Sequence, residues 1–242
     1  MSDQISIVLT GTIVPNSVLT AHADAQIRKK EYLRAIHFYT KFAQVYFLEN
    51  STHPVESDPD FTSIKNLIIR KMPVSLCYDK GKGYQEFEML DRWLDQEQDL
   101  PLRWFKISGR YIFKNFDAIV KDCWYDEKCD LVIDRMSYYG IAFTDIFLIS
   151  TECYIRCFKG IYTKCDDIIG ACIEKIVYHR LAQQDCKSFR LFGIVPKISA
   201  ISGSSAELKD DNEIIYYLKS ILRFVNIRFN PHYLLHPRIQ AR

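Results

Sequence analysis

Apolar and polar positions along this chain follow two periods, one suited to strands and one to helices. The run "ISIVLTGTIV" (5–14) is β-branched and nearly continuous, and it closes at Pro15, which predicts a buried strand running into a loop. "AQIRKKEYLRAIHFYTKFA" (25–43) spaces Ile27, Tyr32, Ala35, Ile36, Tyr39 and Phe42 as an amphipathic helix would. "QVYFLENS" (44–51) predicts a second strand whose polar end falls where an α/β sheet presents groups to a ligand. "VSLCYD" (74–79) predicts a third strand, residues 84–96 a helix, and "LRWFKISGRYIF" (102–113) a fourth strand. Strands alternating with helices make the expected fold an α/β one: an open, mostly parallel sheet with helices on both faces.

The second half is less regular. "CDLVID" (129–134) and "IAFTDIFLIS" (141–150) read as further strands. "CDDIIGACIEKIVYHRLAQQ" (165–184) reads as a helix with Ile168, Ile169, Cys172, Ile173, Ile176 and Val177 as its buried stripe. The loop "SGSSAELKDD" (202–211) precedes a final helix, "NEIIYYLKSILRF" (212–224), and a tail.

Composition narrows the class. With 32 Lys+Arg against 30 Asp+Glu the net charge is +2, which argues against a general nucleic-acid binder. The start "MSDQISIVLTGTIV" lacks the basic and apolar regions of a signal peptide, and no apolar run reaches the roughly 20 residues that span a bilayer. The expectation is a cytoplasmic protein that touches a membrane, if at all, through its tail, where Lys219, Arg223, Arg228, Arg238 and Arg242 mix with Ile, Leu, Phe and Tyr. Eight cysteines carry no C-x-x-C pair, and Cys153 with Cys157 reads as two buried thiols. No histidine is assigned to a metal.

The strand ends give four loops: "LTGT" (9–12), "LENS" (48–51), "YDKGKG" (78–83) and "FKISGRY" (105–111). In an open parallel sheet such ends converge on one crevice. It would gather Asn50 with three cations, Lys82, Lys106 and Arg110, which suits a diphosphate. Gly81, Lys82 and Gly83 open a helix whose N-terminal N–H groups can hold an anion. Glu86 and Glu88 read as favourable first-turn helix charges. A G-x-x-x-x-G-K-[ST] loop and a G-x-G-x-x-G after the first strand are both missing.

In order along the chain, "TGT", "ENS", "GKGYQEFEMLD" and "WFKISGRYIFKN" resemble bacterial glycosyltransferases that build O-antigen and capsular polysaccharides. The resemblance covers roughly residues 5–120, and more loosely "TDIFLISTECY" and "ISGSSA". It implies a GT-A fold: a transferase domain over 1–203, with a nucleotide-sugar half (1–120) and an acceptor half (121–203), then a helical appendage over 204–242. It also implies a nucleotide-sugar donor, with a UDP-sugar the first expectation, and a glycan or polyprenyl-linked acceptor. The donor base would lie near Thr10, Gly11 and Thr12 with Asn50, and the diphosphate against Lys82, Lys106, Gly109 and Arg110.

Where most GT-A enzymes carry an Asp-x-Asp for a divalent metal, this chain has Lys106-Ile107-Ser108-Gly109-Arg110-Tyr111. Fixed cations can neutralise a leaving diphosphate, so the expectation is metal-independent transfer, with Asp130, Asp134 and Asp145 as the alternative ligands for Mg²⁺ or Mn²⁺. Inverting transfer needs a carboxylate base, for which Glu174, Glu152 and Asp145 are the candidates. Two other functions compete: a sugar nucleotidyltransferase, which usually has a glycine-rich cationic loop after the first strand that "LTGTIVPNS" does not supply, and a non-catalytic partner that binds sugar nucleotides or glycans.

Overall fold

The structure is a computed structural model that describes residues 5–17, 20–124, 129–182, 189–201, 208–210 and 212–229. Its elements in chain order are β1 (Ser6–Gly11), α1 (Ala25–Tyr39), β2 (Val45–Glu49), α2 (Pro59–Thr62), β3 (Leu67–Lys71), α3 (Lys82–Gln96), β4 (Arg103–Ser108) and β5 (Ile112–Phe113). They continue with α4 (Phe116–Trp124), β6 (Leu131–Met136), β7 (Ile141–Ser150), α5 (Thr151–Cys157), α6 (Ile173–Ala182), β8 (Phe189–Arg190), β9 (Ile198–Ile201), β10 (Leu208–Asp210) and α7 (Glu213–Phe229).

Seven strands form one sheet in the order β3-β2-β1-β4-β7-β6-β8, and β10-β9-β5 form a small second sheet. β1 pairs in parallel with β2 and β4, β2 with β3, and β6 with β8. β7 alone runs against its neighbours β4 and β6. The α/β class expected from the sequence is therefore the observed one. β1 is buried along its whole length because both faces are covered. Ile7 and Leu9 pack with Tyr32, Ile36 and Tyr39 of α1 and Phe116 and Ile119 of α4. Val8 points the other way, into a cluster with Phe87, Leu90 and Trp93 of α3, Tyr154 of α5, and Val177 of α6.

Leu208–Asp210, inside the span read as a loop, is strand β10 paired with β9, and three further elements differ from the sequence reading. The third strand is Leu67–Lys71, not 74–79: its Leu-Ile-Ile run finds the open edge of β2, whereas Leu76 is left 86% exposed. The fourth strand stops at Ser108, and Ile112–Phe113 crosses to the small sheet. The backbone turns at Gly109, where a Cβ would lie 2.5 Å from the Thr10 carbonyl oxygen. The helix expected over 165–184 begins only at Ile173. Asp166 accepts the Ile168 N–H in a local turn, Gly170 is left-handed, and an Asp166–Ala171 bridge closes the loop, so Ile168 and Ile169 are exposed. At the edges of α1, Ile27 and Phe42 are likewise exposed.

Candidate active site

The carboxyl ends of β1 and β4 flank a cleft of about 210 Å³ that α3, the start of β7 and the start of α6 complete. Its position follows from topology, because parallel strands whose helices leave on opposite faces open a crevice at their carboxyl ends. Thr10, Gly11, Thr12, Lys82, Gly83, Gly109, Arg110, Asp145 and Glu174 all line it. Asn50, Gly81, Lys106 and Glu152 do not.

Each of those four has a different place. Asn50 is buried and its side-chain oxygen accepts the Thr12 hydroxyl at 2.6 Å. The neighbouring Glu49, with no exposure, accepts the N–H groups of Ile13 and Ser51, both at 3.0 Å, and pairs with Lys71. The polar end of β2 thus fixes the loops beneath the cleft and does not face into it. Gly81 has φ of +98° and is packed against Asp167, whose carboxylate accepts the Lys82 N–H at 3.0 Å. The first helical N–H of α3 is therefore taken by the protein's own anion, and the Lys82 side chain is what this helix start offers a ligand. Glu152 begins α5 beyond the far end of β7, 88% exposed and paired with Arg156.

Lys106 has no exposure. Its ammonium lies 2.7 Å from the Glu86 carboxylate and donates to the Thr144 carbonyl at 2.7 Å and the Ser108 hydroxyl at 3.2 Å. Glu86 in turn accepts the Thr10 and Ser108 hydroxyls. This knot ties the ends of β1 and β4 to α3 and β7, so Lys106 holds the floor of the cleft together and does not line it. Neither Glu86 nor Glu88 lies in the first turn of α3, where the sequence reading put them, because the helix starts at Lys82; Glu88 is buried and pairs with Arg92 four residues on.

The cations that do line the cleft include one that sequence reasoning passed over. Arg28 of α1 is buried, donates through Nε to the Thr12 carbonyl at 2.9 Å and through Nη1 to the His22 carbonyl at 3.0 Å, and lines the cleft. Tyr32, one turn on, accepts the Thr12 N–H at 2.8 Å. Glu31 pairs with Arg110 at 2.7 Å. The i, i+3, i+4 spacing of Arg28, Glu31 and Tyr32 is the signal that would have found them as one helix face.

The electrostatics divide the cleft. Burial lowers the Lys82 pKa below its ordinary 10.5, the charges of Arg28 and Arg110 lower it further, and Asp167 and Glu174 oppose them. Burial works against the Arg110 charge, but Tyr32 and the Glu31 carboxylate outweigh it and hold the guanidinium above its ordinary value. Opposite these cations, burial pushes Glu174 above its ordinary 4.5, and the nearby charges of Asp145 and Glu86 add to the push. A cationic wall facing a carboxyl group with raised proton affinity can bind a polyanion and exchange a proton beside it.

The three aspartates considered as metal ligands are apart. Asp130 precedes β6 at the far end of the sheet, close to Arg156, and Asp134 is buried against Arg223. Among the described residues no three His, Cys, Asp or Glu side chains gather as a metal site. Cys153 and Cys157 are buried, with their sulfurs 3.9 Å apart. Among the described residues no helix is long and apolar enough to cross a membrane.

No protein-family model matches the chain, and no curated protein matches it in sequence. Among solved structures it is similar to a 4-diphosphocytidyl-2C-methyl-D-erythritol synthase from Anaerococcus prevotii, at 8% identity and TM-score 0.45 over 91% of this chain and 99% of that one. It is also similar to a cytidylyltransferase from Leptospira borgpetersenii, at 12% identity and TM-score 0.42 over 98% and 99%. Mouse xyloside xylosyltransferase 1 is similar at 7% identity and TM-score 0.45 over 77% and 84%.

Proposed function

We propose that this chain is a glycosyltransferase that moves a sugar from a nucleotide-sugar donor to a glycan or lipid-linked glycan in surface polysaccharide synthesis. The observation that supports the reading is the division of one cleft into a cationic wall (Arg28, Lys82, Arg110) and a carboxylate wall (Asp145, Glu174). The donor diphosphate sits against Lys82 and Arg110, with the nucleoside towards Thr10, Gly11 and Thr12. Glu174 takes the proton of the acceptor hydroxyl as its oxygen bonds to the anomeric carbon. The bond from that carbon to the diphosphate breaks, and the nucleoside diphosphate leaves with the electron pair. A carboxylate with raised proton affinity is a better base at the moment of transfer than an ordinary one, and burial with the Asp145 charge raises it here. At the leaving group, fixed cations stabilise the charge that develops. The residues at the usual Asp-x-Asp position do not form a metal-ligand set, so no step is routed through a metal.

Incubation with UDP-, GDP-, CMP- and TDP-sugars, scored for nucleotide release with and without an acceptor glycan, tests the proposal. Release of one nucleoside diphosphate, insensitive to EDTA and weakened about tenfold or more in donor affinity by Lys82→Met, is expected. Loss of activity with EDTA and its return with Mn²⁺ would remove the metal-independent mechanism.

Arg28 favours a second reading. It puts a cation against the loop after β1, where a sugar nucleotidyltransferase needs one and where the loop's own sequence has none. Release of pyrophosphate from a nucleoside triphosphate and a sugar phosphate would select that reaction. Binding without turnover would select a non-catalytic partner.

A further inference from the structure

Helix α7 is packed the wrong way round for a helix that serves only its own domain. The residues of α7 that are partly buried are Tyr216, Ser220, Arg223 and Ile227, a seam at spacings of four, three and four. What that seam meets is polar. Tyr216 accepts the Asn115 amide at 3.2 Å and lies under the Lys197 ammonium, while Arg223 pairs with buried Asp134 at 2.9 Å and donates to the Phe192 carbonyl at 2.8 Å. The opposite arc carries Ile214, Leu218, Ile221, Leu222, Val225 and Phe229, between 41% and 82% exposed. A solvated helix of ordinary construction shows the reverse arrangement.

We infer that this outward arc lies in the interface of an anionic lipid bilayer, with the helix axis in the membrane plane. The charges select this occupant over a second copy of the chain. Glu213, paired with Lys197, is the only acid of α7, and from Ile214 to Arg242 the sequence has no acid but five bases. Arg228 is exposed at the edge of the apolar arc, beside Ile221. Two such helices packed together would bring their arginines together with no carboxylate on that arc to receive them, Glu213 being taken by Lys197, a costly arrangement. At a bilayer the same arginine reaches lipid phosphate while its neighbours enter the acyl boundary. Anionic headgroups then add attraction to each basic residue near the surface. The inference does not depend on the transfer reaction.

Flotation of the full chain with vesicles of phosphatidylcholine alone, or of phosphatidylcholine with phosphatidylglycerol, tests it. The chain is expected to float with the anionic vesicles, to be released by high salt, and to stay behind with the neutral ones. Leu218→Ser with Leu222→Ser should lower the floated fraction at least about tenfold, since each leucine contributes by burial in the acyl boundary. The melting temperature should not fall, because both side chains are exposed. Failure to float with anionic vesicles overturns the inference. So does a concentration-dependent dimer that the same double substitution dissolves while the vesicles are ignored.

Discussion

Replacing Glu86 by Gln removes one charge from the knot beneath the cleft and leaves an oxygen in its place. Lys106 then keeps the Thr144 carbonyl and the Ser108 hydroxyl but has no counter-charge, and it has no access to solvent. Breaking a buried pair from one side costs about 3–5 kcal/mol. The Glu86 side chain is 21% exposed towards the cleft, so water relieves part of this, and about 3 kcal/mol is expected. The opposite substitution, Lys106→Met, leaves a carboxylate that still accepts the Thr10 and Ser108 hydroxyls and still meets water, and it should cost about 1 kcal/mol or less. The double variant should resemble Lys106→Met alone, giving a coupling equal to the Glu86→Gln loss, about 3 kcal/mol. Urea unfolding of the four proteins at neutral pH, followed by the fluorescence of buried Trp93 and Trp104, measures this cycle. For a chain of this size, about 3 kcal/mol lowers the melting temperature by about 6–12 °C. The reasoning fails if Lys106→Met costs as much as Glu86→Gln, or if the two losses add within about 0.5 kcal/mol.

Glu174→Gln should reduce transfer by about 10²–10⁴-fold with donor affinity retained, as single-turnover kinetics and calorimetry would show. The same substitution should stabilise the protein at neutral and alkaline pH. Burial and the Asp145 charge raise the folded-state pKa of Glu174, so its carboxylate costs stability above that value, and the cost is absent below the unfolded value near 4.5. Denaturation at several pH values should therefore show a gain that vanishes as the pH falls to about 4. Gly81→Ala places a methyl group 2.0 Å from an Asp167 carboxylate oxygen at φ +98°, so a loss of about 1–3 kcal/mol is expected, with weaker nucleoside diphosphate binding as the Lys82 turn shifts. A melt and a titration of the same sample read both.

Much of the frame was legible because it rests on short-range pattern. The β-branched run of β1, the spacing of α1 and the strand-end loops were enough to bring Thr10, Lys82, Gly109 and Arg110 to one crevice, although Lys82 was reached through a strand that lies elsewhere and Asn50 and Lys106, expected there too, do not line it. The third strand was not legible, since "NLIIRK" and "VSLCYD" are comparable in propensity and differ only in which one meets the edge of β2. The late start of α6 was decided by Asp166 and Gly170, whose turn overrides an apolar spacing that looks helical.

By itself, then, the sequence determined the α/β class and the end of the sheet at which the cleft opens. Only the tertiary structure decided the partners. It gave Lys106 to Glu86, twenty positions away in the chain, and Asp167 to the start of α3. It brought Arg28 and Tyr32 to the loop after β1, and turned the polar side of α7 inward. The physical reason is range. Backbone periodicity is set within a few residues, whereas a charged side chain chooses among partners by distance and desolvation, and both are fixed only when distant segments have packed.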